Sequence, residues 1–335
     1  MKHVIVPIFI THRGCPHQCV FCNQRAITAR TGDVTPKDAE ETINTWLSTV
    51  DRSTTEAEIS FFGGSFTGIP MEEQTAFLKL AQRYKSEGRV DKIHCSTRPD
   101  YINREILDNL KLYGMDTIEL GVQSFDNEVL KKSGRGHTDK EVYEACRLIK
   151  EYGFTLGIQL MIGLPGDSYE SCMYSVQKTI EMAPQIARLY PTVVLPDTEL
   201  YEMQQSGSYT PPSESEMLRT VKDMYRELTA NHINVIRIGL KSNETVKSGN
   251  YHPAFGQLVK SAVALDEIEA QLAALKPEDG STVIISAPQR LINFVYGHKG
   301  ENRRILAGKY PDLKFRFAAD DGIEKILLRI VNAEC

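Results

Sequence analysis

Apolar positions along this chain alternate between two rhythms. Short runs rich in β-branched and aromatic residues predict strands at Val4–Ile10, Ala57–Phe62, Asp91–Cys95, Thr117–Val122, Phe154–Ile162 and Ile186–Val194. Between them, apolar residues three and four apart predict helices near Pro36–Ser48, Met71–Lys85, Arg104–Leu112, Lys140–Tyr152 and Tyr169–Met182. Thr35 followed by Pro36 is a helix-start signal, and Asn103 and Ser168 are placed to cap their helices. Strand–helix alternation of this kind builds a parallel sheet with right-handed crossovers. Six units in about 200 residues predict an α/β fold, a partial (β/α)6 TIM-like barrel rather than a closed eight-fold one.

The rhythm changes after residue 205. Pro211-Pro212-Ser213 leads into a predicted helix at Glu214–Ala230 and a strand at Asn234–Gly239, and residues 241–256 read as a long loop. A helix at Ala262–Leu275 and the turn Lys276–Gly280 introduce a separate C-terminal piece. It reads as strand Val283–Ser286, helix Pro288–Tyr296, turn Gly297-His298-Lys299-Gly300, helix Asn302–Tyr310 and strand Leu313–Phe317. The expected organisation is a barrel over 1–205, a barrel extension and connection over 206–278, and a small α/β domain over 279–335.

Composition narrows the classes. The 335 residues are 41% hydrophobic and 25% charged, enough for a sizeable core. No stretch approaches the roughly 20 apolar residues of a membrane span, and the short apolar N-terminal run is interrupted by Thr11-His12-Arg13, so no membrane partner is expected. Seven cysteines, four of them scattered (Cys95, Cys146, Cys172, Cys335), do not form a disulfide framework, which points to a reducing cytoplasm. The net charge of −5 gives no global case for nucleic acid. Between Ser281 and Phe317, however, seven basic residues (Arg290, Lys299, Arg303, Arg304, Lys309, Lys314, Arg316) face two acidic ones (Glu301, Asp312), a local balance of +5.

The candidate chemistry gathers where predicted strands end, the functional face of such barrels. Gly63-Gly64-Ser65, Ser96–Pro99, Gln123-Ser124, Gly163–Gly166 and Leu195–Thr198 all fall there. So does the loop Arg13-Gly-Cys-Pro-His-Gln-Cys-Val-Phe-Cys22, in which Cys15, Cys19 and Cys22 are spaced C-x3-C-x2-C. Three thiolates on one tight loop leave one iron of a four-iron cluster open for another ligand. A zinc site completed by His12 or His17, or a disulfide, stays open on this loop alone.

With Phe21 just before the last cysteine, the loop resembles that of the radical S-adenosylmethionine superfamily. Further segments resemble the radical domain of the Elongator catalytic subunit and oxygen-independent coproporphyrinogen III oxidase. They are Phe61–Pro70, Ser96–Asp100, Glu119–Phe125, Gly134–Thr138 and Met161–Gly166, so the likeness runs over about residues 1–205. It implies a [4Fe–4S] cluster on Cys15, Cys19 and Cys22, with S-adenosylmethionine chelating the open iron. Reductive cleavage then releases a 5′-deoxyadenosyl radical, the electron coming from a donor such as flavodoxin or ferredoxin. By the same resemblance, Gly63, Gly64 and Ser65 contact the methionine amino group, Phe21 lies near adenine, and Arg135 pairs with the methionine carboxylate. Gln123, Ser96, Gln159 and Met161 complete the expected cofactor contacts. Ser96 and Gln159 stand where the porphyrinogen oxidase pattern has acidic residues, which weakens that reading. The match leaves about 130 residues, so acetyl transfer by this chain alone is not expected.

The C-terminal β-α-GxxG-α-β order resembles a KH domain, whose GxxG loop clamps single-stranded nucleic acid backbone. Gly297, His298, Lys299, Gly300, Arg303 and Arg304 are the RNA contacts this implies, with tRNA a candidate. The alternatives are a small cap whose glycines end one helix and start the next, radical chemistry on a tetrapyrrole or other small molecule, and a non-catalytic RNA-binding or iron–sulfur protein. Tyr190, Cys95, Cys335 and His252 are not taken as catalytic.

Overall fold

The computed structural model describes residues 2–10, 13–15, 19–23, 32, 34–240 and 252–331. His12, His17, Cys335 and most of the predicted loop at 241–256 lie outside the described residues. The chain divides into two compact units, residues 1–217 with 227–251, and residues 218–226 with 252–335.

The first unit is built on strands β1 (Lys2–Ile10), β2 (Thr55–Gly63), β3 (Lys92–Thr97), β4 (Thr117–Gln123), β5 (Thr155–Ile162), β6 (Ile186–Pro191) and β7 (Asn234–Ile238). They form one sheet in simple order β1 to β7, every neighbouring pair parallel. Helices α1 (Pro36–Leu47), α2 (Met71–Ser86), α3 (Arg104–Leu112), α4 (Asn127–Lys132), α5 (Asp139–Glu151), α6 (Tyr169–Met182) and α7 (Glu199–Gln205) lie among the crossovers. This is the expected partial barrel, carried one strand further than six: β7 pairs with β6 through Ala187 and Val235. The predicted sixth strand is also shorter than expected. It ends at Pro191, and the chain turns there, with Thr192 donating its amide to the Ile162 carbonyl.

Local chemistry sets the helix starts. Thr35 and Asp38 form a reciprocal capping box ahead of Pro36. The Asn103 side chain accepts from the Ile106 amide and Ser168 from the Ser171 amide, as their positions suggested. Helices α4 and α7 escaped the hydrophobic pattern because six and seven residues are too few to show a helical period. They are held instead by Asp126 and Thr198 as caps. Apolar burial between sheet and helices, with Ile59, Ile93, Ile118, Leu120, Ile158 and Leu189 at or near zero exposure, is what fixes the barrel wall.

In the second unit, helices α9 (Phe255–Leu275), α10 (Gln289–Tyr296) and α11 (Glu301–Lys309) accompany strands β8 (Thr282–Ala287), β9 (Lys314–Ala319) and β10 (Leu327–Val331). Helix α8 (Glu214–Ala230) gives residues 218–226 to it. The sheet order is β10-β8-β9, with β9 parallel and β10 antiparallel to β8. Strand β10 was not expected, and α9 starts seven residues earlier than its apolar spacing suggested. Ile268, Leu272, Val283, Ile285, Val295 and Leu306 form this unit's core. Among the described residues no helix is long and apolar enough to cross a membrane.

Candidate active site

Eleven of the twelve barrel residues singled out by sequence line one cavity of about 810 Å³ at the C-terminal ends of the strands. They are Cys15, Cys19, Phe21, Cys22, Gly63, Gly64, Ser96, Gln123, Arg135, Gln159 and Met161. The cysteine loop is fastened from below. Val20 donates to the Ser133 carbonyl and accepts from the Leu200 amide, while Val20 and Phe21 pack with Val194, Leu200, Met203 and Tyr209. The loop after β2 lies directly on it: the Gly64 amide donates to Ile10 O at 2.7 Å and the Ser65 amide to Arg13 O at 3.0 Å. A Cβ on Gly64 would overlap the Arg13 carbonyl oxygen, so this glycine is required by chain against chain as well as by any ligand in the cavity.

Ser65 is the exception. It is fully buried, its hydroxyl bonded to Thr97 Oγ1 at 2.7 Å and to the Arg98 amide, and it does not line the cavity. Gly163 is also diverted: it accepts from the Tyr209 hydroxyl at 2.6 Å and packs on Pro212 and Met217.

Arg135 is not the surface arginine that its Gly-Arg-Gly setting allows. It is 6% exposed, donates to Cys19 Sγ at 3.2 Å and to Gly121 O at 2.5 Å, and leaves Nε without a partner. Arg98 lies alongside, held by both oxygens of Asp100 and donating to the Arg135 carbonyl, with Nη1 unpartnered. Burial pushes the Cys15 thiol up, and the two guanidinium groups pull against that. Gln123 has φ of 71°, a left-handed backbone for a residue with a side chain, at a register shift after Gly121. The irregularity re-aims its amide, which accepts from Gln159 Nε2 at 3.3 Å.

Deeper in the barrel, sequence reasoning passed over a charged cluster. Arg188 donates to Glu119 Oε2 at 2.6 Å and to the Tyr190 hydroxyl at 3.3 Å, and its guanidinium sits 5.1 Å from the Phe62 ring. Burial opposes the charge on Arg188, but Glu119 outweighs it and holds the group more firmly protonated than usual. Ser96 donates to Glu119 at 3.3 Å. Beyond it, His94 bonds Glu58 at 2.9 Å. Burial raises the Glu58 carboxyl, but the bonds from His94 and Ser60 prevail and set it at about 2. Period-two alternation was the available signal, since it puts Glu119, Gly121 and Gln123 on one face of β4 and Arg188 beside Tyr190 on β6.

The residues present fit an iron–sulfur cluster with a polar organic ligand. Three thiols and two buried guanidinium groups with unsatisfied donors meet on one cavity, and such donors call for acceptor groups. Among the described residues no three ligating side chains converge closely enough for a single metal ion. A cluster takes them spread, one to each of three irons.

Residues 9–178 match the family model of the Radical SAM superfamily, and residues 184–264 match the Radical_SAM C-terminal domain. The chain is 28% identical over 257 residues to the tRNA uridine(34) acetyltransferase of Methanocaldococcus infernus, which covers 65% of this chain and 48% of that protein. It is 28% identical over 208 residues to the heme chaperone HemW of Bacillus subtilis, covering 60% and 54%. The chain therefore spans about half the length of these curated relatives. Among solved structures, the archaeal Methanocaldococcus infernus Elp3 with an N-terminal deletion superposes with a TM-score of 0.60 at 20% identity, covering 81% of this chain and 63% of that one.

Proposed function

The chain belongs to the radical SAM superfamily, and from that premise we propose that it is an enzyme whose radical chemistry acts on RNA, with tRNA the favoured class. The observation that carries the catalytic half is the cysteine loop lining one cavity with Gln123 and with Arg135, which donates to Cys19. The superfamily's [4Fe–4S] cluster and S-adenosylmethionine supply, when bound, an electron to the sulfonium and a 5′-deoxyadenosyl radical for hydrogen abstraction.

Cys15, Cys19 and Cys22 ligate the cluster. Arg135 and Arg98 place positive charge beside the thiolates, and the free Arg135 Nε offers a donor to a carboxylate in the cavity. Gln123 and Gln159, paired amide to amide, present donor and acceptor groups to ribose hydroxyls. Phe21, Gly63, Gly64, Ser96 and Met161 shape the walls and exclude water. Ser65 acts by position, tying the loop after β2 to Thr97. An acidic one-electron carrier such as flavodoxin or ferredoxin, in a reducing compartment, is the expected donor.

The RNA half is supported by the tRNA-modifying relative and by the basic stretch 281–317 of the second unit. There the KH-like reading assigns backbone contacts to Gly297, His298, Lys299 and Gly300 and phosphate contacts to Arg303 and Arg304. Lys299, Arg303 and Arg304 are exposed, whereas Gly297 is buried against Asn302 and His298 bonds Gln257. Salt-sensitive binding of unfractionated tRNA, lost in Gly300→Asp, is the expected result; no binding at low salt overturns this half. A tetrapyrrole substrate is the second reading, favoured by the HemW likeness. Haem binding by the anaerobic protein without RNA affinity would select it.

A further inference from the structure

The three-stranded sheet of the second unit has one covered face and one open face. Val283, Ile285, Phe315, Phe317 and Leu328 point into the core. On the other face the register sets Arg329, Ile284 and Arg316 side by side across β10, β8 and β9, with Val331, Thr282 and Lys314 in the next row. Lys314, Arg316 and Arg329 are exposed, as are Leu327 and Val331. None of the strand positions on this face is acidic. None of the three cations has an ion pair or side-chain hydrogen bond among the described residues.

Like charges gathered on one sheet face weaken it slightly, and among the described residues no ion pair offsets these three. Protection of edge strands is the plainest alternative, since β9 and β10 are both edges and charge there discourages pairing with another chain. Edge protection works with either sign and on either face. It does not account for three charges of one sign gathered on one face around Ile284. Arg316 and Arg329 stand two strand spacings apart, roughly 10 Å. That lets both reach phosphates of one strand while the apolar middle takes sugars or bases. We propose that this open face is a second nucleic-acid surface, which holds an RNA strand by its phosphodiester backbone and adds to the grip of the Gly297–Gly300 turn without replacing it. It rests on the RNA half of the functional reading above.

The test uses the full chain and unfractionated tRNA, with affinity measured from about 50 to 200 mM salt. Arg316→Gln combined with Arg329→Gln is expected to raise Kd about tenfold and to flatten the log–log salt slope by about 1 to 2. Arg316→Lys with Arg329→Lys keeps the charge and should stay within about threefold of wild type, and Lys314→Gln alone should lose about 1 from the slope. Arg147→Gln, on an exposed barrel helix, is the control and should change nothing. Wild-type affinity and slope in the double Gln variant would overturn the proposal, as would its loss of binding to phosphatidylserine vesicles but not to tRNA. If wild type itself fails to bind tRNA, the RNA reading falls and takes this surface with it. If wild type binds and the double variant binds equally well, only the surface falls.

Discussion

Cations are used in opposite ways in the two units. In the barrel, Arg98, Arg135 and Arg188 are each under 9% exposed and each is fixed by named acceptors: Asp100, Cys19 with Gly121, and Glu119. In the second unit, Lys314, Arg316 and Arg329 stand in solvent. A buried charge must be paired to be tolerated, so it specifies geometry, and the atoms left over, such as Arg135 Nε, mark where a ligand is expected. An exposed charge tolerates anything, so it specifies only a field. The first arrangement supports chemistry on a small, fixed ligand, and the second supports a grip on a long polyanion.

Substitutions can break this contrast at either end. The largest effect belongs to the thiols: Cys19→Ala should reduce bound iron from about four per chain to near zero, as read by metal analysis after anaerobic reconstitution. Next comes the buried pair. Glu119→Ala leaves Arg188 charged and unmatched at 8% side-chain exposure, and should cost about 3–5 kcal/mol in urea unfolding. Arg316→Gln, on the exposed face, should stay within about 0.5 kcal/mol.

The third effect is pH-dependent. The Glu58 carboxyl drops from 4.5 to about 2 on folding. A depressed carboxylate adds stability that is complete above pH 4.5 and is lost as pH falls toward 2, up to about 3 kcal/mol by linkage. His94→Gln should shrink that loss. A smaller effect separates two glycines of one turn. Gly297, at φ 81° with Asn302 N against it, should cost about 1–3 kcal/mol on change to Ala. Gly300, at φ 75° in open space, should cost about 1 kcal/mol.

Much of this molecule was legible beforehand because its signals are local. The cysteine spacing, the caps at Thr35, Asn103 and Ser168, and the strand–helix rhythm depend on residues close in sequence. What escaped depends on distance. The Glu119–Arg188 pair joins residues 69 apart, and only the parallel register of β4, β5 and β6 brings them together. The partner of the Ser65 hydroxyl, Thr97, stands 32 residues on, so no local pattern shows that bond. Strand β10 was missed because five residues opening on adjacent leucines do not show clean alternation. Its pairing with β8 settles it.

On the proposed reading, the cysteine cavity seats a cluster and S-adenosylmethionine together. The decisive measurement uses wild-type protein, reconstituted anaerobically and reduced with dithionite in the presence of S-adenosylmethionine. The expected result is about four irons per chain and release of 5′-deoxyadenosine. One tightly held zinc per chain, with S-adenosylmethionine recovered intact, would contradict it.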